Sequence, residues 1–286
     1  MTRSMLFVPG DSERKIEKAL ASEAEAVILD LEDSVAPDGK VRARQVTIAA
    51  LAGDRRSKQL WVRVNALESG LMLSDLAAVI PHHPFGILVP KCAGRPTLQT
   101  VAHYLDALEV AAGLPQGVVH ILPIATETAR SIFALGDYAD VTPRLWGLTW
   151  GAEDLAADVG SLSNQATAAP GYSEPFRQVR SLCLFAAAAA GVRAIDAVCV
   201  RMEDHDTLIQ EAADASRDGF TGKLAIHPNQ LSPIHDAFAP TEAQIDWARR
   251  VVAAFAAAPE AGALRLDGVM IDKPHLRLAR RLMRLD

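Results

Sequence analysis

Charged residues recur along this chain at one kind of position, the last residues of short apolar runs. AVILDLED ends in Glu32 and Asp33, WVRVN carries Arg63 and Asn65, GILVPK ends in Lys91, and VVHILPIAT runs into Glu127. LWGLTWGAED ends in Glu153 and Asp154, and KLAIHP carries His227. Several carboxylates facing two or three cations suit a hard divalent ion. Mg²⁺ takes oxygen ligands, usually with one or two protein carboxylates, and leaves places for water and substrate. Glu127 and Asp154 are the first choice of ligands; the alternative is two ordinary acids at helix N-termini. Zinc is not expected, because the sequence has no HxxxH and no Cys/His cluster. Arg63 lies between apolar neighbours and is suited to a fork-like bond with a substrate carboxylate. Its alternative is a buried ion pair with Asp33 or Glu32. Gly151 and Ala152 are small enough to let backbone N–H groups approach an anionic ligand. Arg14 and Lys18, spaced i, i+4, read on their own as a solvated helix face. Cys92 reads as core, since no His/Asn arrangement accompanies it.

These residues need a scaffold that brings strand ends together. Eight runs read as strands: 4–9, 26–33, 59–65, 86–91, 118–126, 145–154, 194–200 and 223–228. Most are continuously apolar, the pattern of strands buried on both faces. Helix-like stretches separate them, such as DSERKIEKALAS with Ile16, Ala19 and Leu20 on one face, and TETARSIFALGDYA before Pro143. Eight strands alternating with helices predict a TIM (β/α)8 barrel, whose active site lies at the C-terminal strand ends. A doubly wound open sheet fits less well, because no G-x-G-x-x-G follows the first strand.

The barrel is expected over 1–230, with 231–286 as C-terminal helices and a lid. TEAQIDWARRVVAAFAAA predicts a helix with Ile245, Ala248, Val251, Val252 and Phe255 on one face. AGALRLDGVMIDKPHLRLARRLMRLD predicts a turn or short strand and then a basic helix. The polar segment 160–176 resists assignment.

Composition sets the outer limits. The chain has 286 residues, 50% hydrophobic and 22% charged, which suits a folded globular protein. Lys plus Arg is 29 against 35 Asp plus Glu, a net charge of −6, giving no support for nucleic acid or an anionic membrane as partner. Three scattered cysteines and an N-terminus without an apolar leader point to a cytoplasmic setting.

Eight segments together carry a family resemblance: RSMLFVPGDSERKIEKA, AVILDLEDSVAPDGKVRAR, WVRVN, LVPKCAG, LPIATETARSIF, LWGLTWGAEDLAADVG, GKLAIHPNQL and DGVMIDKPHL. In that order they resemble the citrate lyase β subunit and its free-standing relatives, the malyl-CoA, citramalyl-CoA and citryl-CoA lyases of the HpcH/HpaI aldolase group. The resemblance spans essentially the whole chain. It implies a TIM barrel, Mg²⁺, a CoA thioester substrate and a homotrimer or hexamer. By the same resemblance Glu127 and Asp154 are the metal ligands, and Arg63 holds the keto-acid carboxylate. Glu32 and Asp33 lie near the metal waters and the substrate entry, and Arg14 and Lys18 near the CoA phosphates. Asp272, in MIDKP, matches a lid aspartate inserted into a neighbouring subunit's site as catalytic acid/base. The expected reaction cleaves a citryl-, citramalyl- or malyl-CoA type of thioester to acetyl-CoA and a 2-oxo acid. Alternatives at the same site are a malyl-CoA thioesterase, a malate-synthase-like condensing enzyme, and an aldolase on free pyruvate. A further one is the β subunit of a multi-subunit citrate lyase that acts on a carrier-bound thioester.

Overall fold

A computed structural model describes residues 2–166 and 171–283. Residues 167–170 of the unassigned polar segment, and 284–286 of the expected basic helix, lie outside the described residues. Eight parallel strands form the first sheet: β1 (Ser4–Pro9), β2 (Ala26–Asp30), β3 (Gln59–Arg63), β4 (Gly86–Val89), β5 (His120–Pro123), β6 (Gly147–Thr149), β7 (Arg193–Asp196) and β8 (Gly222–Ala225). They run in the order β5-β4-β3-β2-β1-β8-β7-β6. Parallel bridges Ile121–Leu145 and Ile124–Thr149 join the two ends, so the sheet closes as a TIM barrel.

Period two explains what fills it. Residues of one parity point inward, where Met5, Ala26, Ile28, Trp61, Leu88, Leu122, Ile124, Trp146, Ile195 and Leu224 form the barrel interior. Residues of the other parity meet the surrounding helices in a larger apolar layer. Trp61 sets a local size rule: a Cβ on Gly86 would sit 2.3 Å from its ring. Glycine on β4 is what admits the indole.

The strands are shorter than their apolar runs. β2 stops at Asp30 and β6 at Thr149, leaving Glu32, Asp33, Glu153 and Asp154 in the loops and first helical turns beyond them. TETARSIFALGDYA is also not one helix. Thr128 caps a single turn, Ala129–Ile132, and a 3₁₀ turn follows at Leu135–Tyr138. Phe133 between them is exposed.

The chain divides into two compact units, Met1–Phe238 and Ala239–Asp286. The helix Leu231–Ala237, expected with the tail, belongs to the first: it packs on β1 and β8, and its His235 Nε2 lies 2.7 Å from Ser4 Oγ. In the second unit, helix Glu242–Ala257 buries Ala248, Val251 and Phe255 against Ile271 and Ala279, with Ile245 and Val252 half-buried. The tail carries a full hairpin, β9 (Ala263–Leu266) and β10 (Val269–Asp272), where a turn or short strand was expected. Asp267 and Gly268 both take positive φ, 51° and 82°, as the two-residue turn of a twisted hairpin requires. The basic helix Lys273–Leu282 follows. Among the described residues no helix is long and apolar enough to cross a membrane.

Candidate active site

The interior parity of β2 and β3 reaches the barrel mouth as Asp30 and Arg63, which are register partners on adjacent strands. Arg63 Nε and Nη2 donate to the two carboxylate oxygens of Asp30 at 2.6 and 2.7 Å. The fork expected for a substrate is therefore first closed on Asp30. Its Nη1 lies 3.1 Å from Glu32 Oε2 and 3.8 Å from Asp33 Oδ2. Burial alone would lower the guanidinium pKa, but Asp30, Glu32 and Asp33 raise it above its ordinary value. Asp30 was not singled out from the sequence. The signal was present: Ala26, Ile28 and Asp30 share one parity.

Lys91 forms the second centre. Its ammonium lies 2.7 Å from Glu32 Oε1, 3.3 Å from Asp154 Oδ1 and 3.8 Å from Asp33 Oδ2. Its backbone N–H donates to Glu127 Oε2 at 2.5 Å. Five carboxylates thus surround two cations. Glu127 registers that imbalance. Burial, with Asp154 and Glu32 nearby, pushes its pKa up to about 8 even though Lys91 pulls the other way. Burial also raises Glu32 against the pull of Arg63 and Lys91.

Glu127 and Asp154 follow the adjacent strands β5 and β6 and line one cavity of about 820 Å³. Arg63, Gly151, Ala152, Arg14 and Lys18 line it too, so most of the expected residues share one space. Lys15, Trp150 and Tyr172 add to the wall without having been singled out, and His227, read from the sequence as a strand-end residue, joins them. Glu32 and Asp33 instead line a second, more open cavity with Lys91, Lys40 and Arg130. Asp33 is the more exposed of the two acids and makes only long contacts.

Gly151 acts differently from expectation. Its N–H donates to Thr126 Oγ1 at 3.0 Å and so is already engaged. A Cβ there would stand 3.0 Å from Glu127 Cγ, so the missing side chain makes room for the carboxylate. Ala152 immediately precedes the short helix Glu153–Asp158 and is buried. Asp272, in the second unit, occupies the N-cap of helix Lys273–Leu282, with Oδ1 2.6 Å from His275 Nδ1. Cys92 is buried, which pushes its thiol up to about 11, and it has the character of a core residue.

Among the described residues, no three or more His, Cys, Asp or Glu side chains are grouped to hold a metal. A cation on Glu127 and Asp154 would complete its shell with water or substrate oxygen, which is the habit of Mg²⁺ rather than of zinc or calcium. The buried carboxylate of Glu127 beside that of Asp154, in a cluster where acids outnumber cations, has the donor chemistry for that ion.

A family model described as HpcH/HpaI aldolase/citrate lyase matches residues 3–228. The mitochondrial citramalyl-CoA lyase of Rattus norvegicus is 30% identical over 296 residues, covering 99% of this chain and 85% of that protein. The (3S)-malyl-CoA thioesterase of Cereibacter sphaeroides is 33% identical over 284 residues, covering 98% and 93%. Among solved structures, protein CitE from Mycobacterium tuberculosis in complex with magnesium, acetoacetate and coenzyme A is 33% identical. It superposes with a TM-score of 0.81, covering 99% of this chain and 97% of that one. With a match across the whole barrel and relatives similar over nearly the full length, the chain belongs to the HpcH/HpaI aldolase/citrate lyase family.

Proposed function

We propose that this protein is a Mg²⁺-dependent carbon–carbon lyase. It cleaves a 3-hydroxyacyl-CoA of the citryl-, citramalyl- or malyl-CoA type to acetyl-CoA and a 2-oxo acid. The observation that carries this is the shared cavity: buried Glu127, the partly exposed Asp154, the pinned guanidinium of Arg63, and the cationic helix bearing Arg14, Lys15 and Lys18 all line it. Glu127 and Asp154 would hold Mg²⁺, which when bound would supply Lewis-acid stabilisation to the acid half of the substrate.

The remaining steps belong to side chains of this protein. Arg63 orients the acid carboxylate, and because Asp30 locks its plane, the guanidinium is preorganised. Arg14 and Lys18 offer charge to the CoA phosphates. Breaking the carbon–carbon bond releases the 2-oxo acid and leaves the thioester enolate, and the proton lost by the hydroxyl balances the one delivered to carbon. Asp272, contributed by the tail of a neighbouring copy in a trimer or hexamer, is the residue we assign to that delivery. The two aromatic rings of Trp150 and Tyr172, 4.8 Å apart edge to face, form an apolar part of the cavity wall.

The test is release of acetyl-CoA from citryl-, citramalyl- and malyl-CoA with Mg²⁺ and after chelation. Metal-dependent release from one of them supports the proposal; release from none of the three overturns it. The thioesterase reading is favoured by the 33% identical relative of that name. The same assay separates it, since hydrolysis yields free CoA and the intact hydroxy acid.

A further inference from the structure

The proposed chemistry does not use Lys91, yet this residue touches four of the five mouth carboxylates. Its ammonium reaches Glu32, Asp33 and Asp154, and its N–H holds Glu127. Both proposed metal ligands are therefore gripped by one residue, in different ways. Glu127 receives a neutral backbone donor, and Asp154 faces a full positive charge.

The backbone shows how closely this is arranged. Lys91 has φ 49°, in the left-handed region that side chains with a Cβ seldom adopt. That conformation turns its N–H onto Glu127 while its side chain extends toward Glu32 and Asp154. Its position also keeps the ammonium out of the substrate cavity: it lines the second cavity and approaches Asp154 from there. Arg63, beyond Glu32, is the other cation of the cluster.

We infer that Lys91 is an internal competitor of the metal, and that its charge sets how tightly the site holds a divalent ion. The inference rests on the reading of Glu127 and Asp154 as metal ligands. A cation bound to both carboxylates shares Asp154 with the ammonium, and two like charges a few ångströms apart in a half-buried site repel strongly. The same ammonium offsets repulsion within the carboxylate cluster. Lys91 thus keeps the cluster stable and the metal exchangeable, at the expense of affinity.

Lys91→Met retains the stem and the backbone donor and removes only the charge; Lys91→Arg retains the charge. Titration calorimetry of Mg²⁺ into chelator-treated protein should show Lys91→Met binding about tenfold tighter than the parent, the size expected from removing one nearby like charge. Lys91→Arg should bind as the parent does. The Mg²⁺-induced rise in melting temperature should also be larger in Lys91→Met, and in Lys91→Gln should the first variant fold poorly. Equal or weaker Mg²⁺ binding by Lys91→Met and Lys91→Gln overturns the inference, leaving Lys91 as a strut of the ligand pair. Glu127→Gln tells this from failure of the underlying reading: if it binds Mg²⁺ as the parent does, the metal assignment itself falls.

Discussion

Two charged clusters in this barrel use the same residue types to opposite ends. At the mouth, Asp30, Glu32, Asp33, Glu127 and Asp154 share Arg63 and Lys91, and Glu127 is pushed up to about 8. Between β7 and β8 and the helices around them, Asp196 receives Lys223 Nζ at 2.8 Å, Arg180 Nε at 3.1 Å and the Trp150 indole N–H at 2.8 Å. Lys223 also reaches Glu211, and both it and Asp196 are buried. Burial alone would raise Asp196, but Lys223 and Arg180 outweigh it and hold the carboxyl below its ordinary range. The parity of the strands separates the two clusters. Asp30 and Arg63 point inward to the mouth, whereas Asp196 and Lys223 point out into the helix layer. A cluster whose charges are all answered is structural; one left with excess negative charge has something still to bind.

The widest test of that contrast is Glu127→Gln. It should remove Mg²⁺-dependent turnover altogether, while the folded protein becomes no less stable, because a strained buried acid is replaced by a neutral isostere. Acetyl-CoA release and a melting curve on one preparation check both halves. Asp272→Asn comes next. Asn caps a helix nearly as well as Asp, so stability should hold, whereas loss of an acid/base should lower kcat roughly 10²–10⁴-fold. Unchanged kcat would reduce Asp272 to the helix cap it visibly is. A mixture with Arg63→Ala chains should regain activity once subunits exchange, if Asp272 acts on a neighbour.

The structural cluster should answer in the reverse sense. Lys223→Met leaves Asp196 buried with one partner fewer and should lower stability by about 3–5 kcal/mol, with kcat of the folded fraction near the parent value. Urea unfolding followed by an activity assay measures both. The smallest effect is in pH. Because the folded Asp196 titrates below its unfolded value, its stabilisation is present above about pH 4 and is lost as pH falls through the folded pKa. Lys223 is raised, so its share persists up to about pH 10.4 and is lost above that, as pH rises through the folded value. Unfolding free energies at pH 3 and 7 should therefore converge, by on the order of 1–2 kcal/mol, in the Asp196→Asn, Lys223→Met double variant. An unaltered acid limb would show that other carboxylates govern acid unfolding.

Eight apolar runs separated by amphipathic stretches were enough to read the barrel, because burial on both faces and helical periodicity are local properties of the chain. The same pattern placed Glu127, Asp154 and Arg63 at strand ends, and strand ends converge in this fold whatever the loops do. Local spacing could not say who partners whom. Asp30 meets Arg63 through the register of β2 and β3, and Lys91 meets Asp154 across strands far apart in sequence. Nor could it show that Gly151 spends its N–H on Thr126, or that TETARSIFALGDYA breaks after one turn. Sequence periodicity determines which face a side chain takes. Only closure of the sheet brings the faces together, and with them the balance of charge that makes one cluster a site and the other a strut.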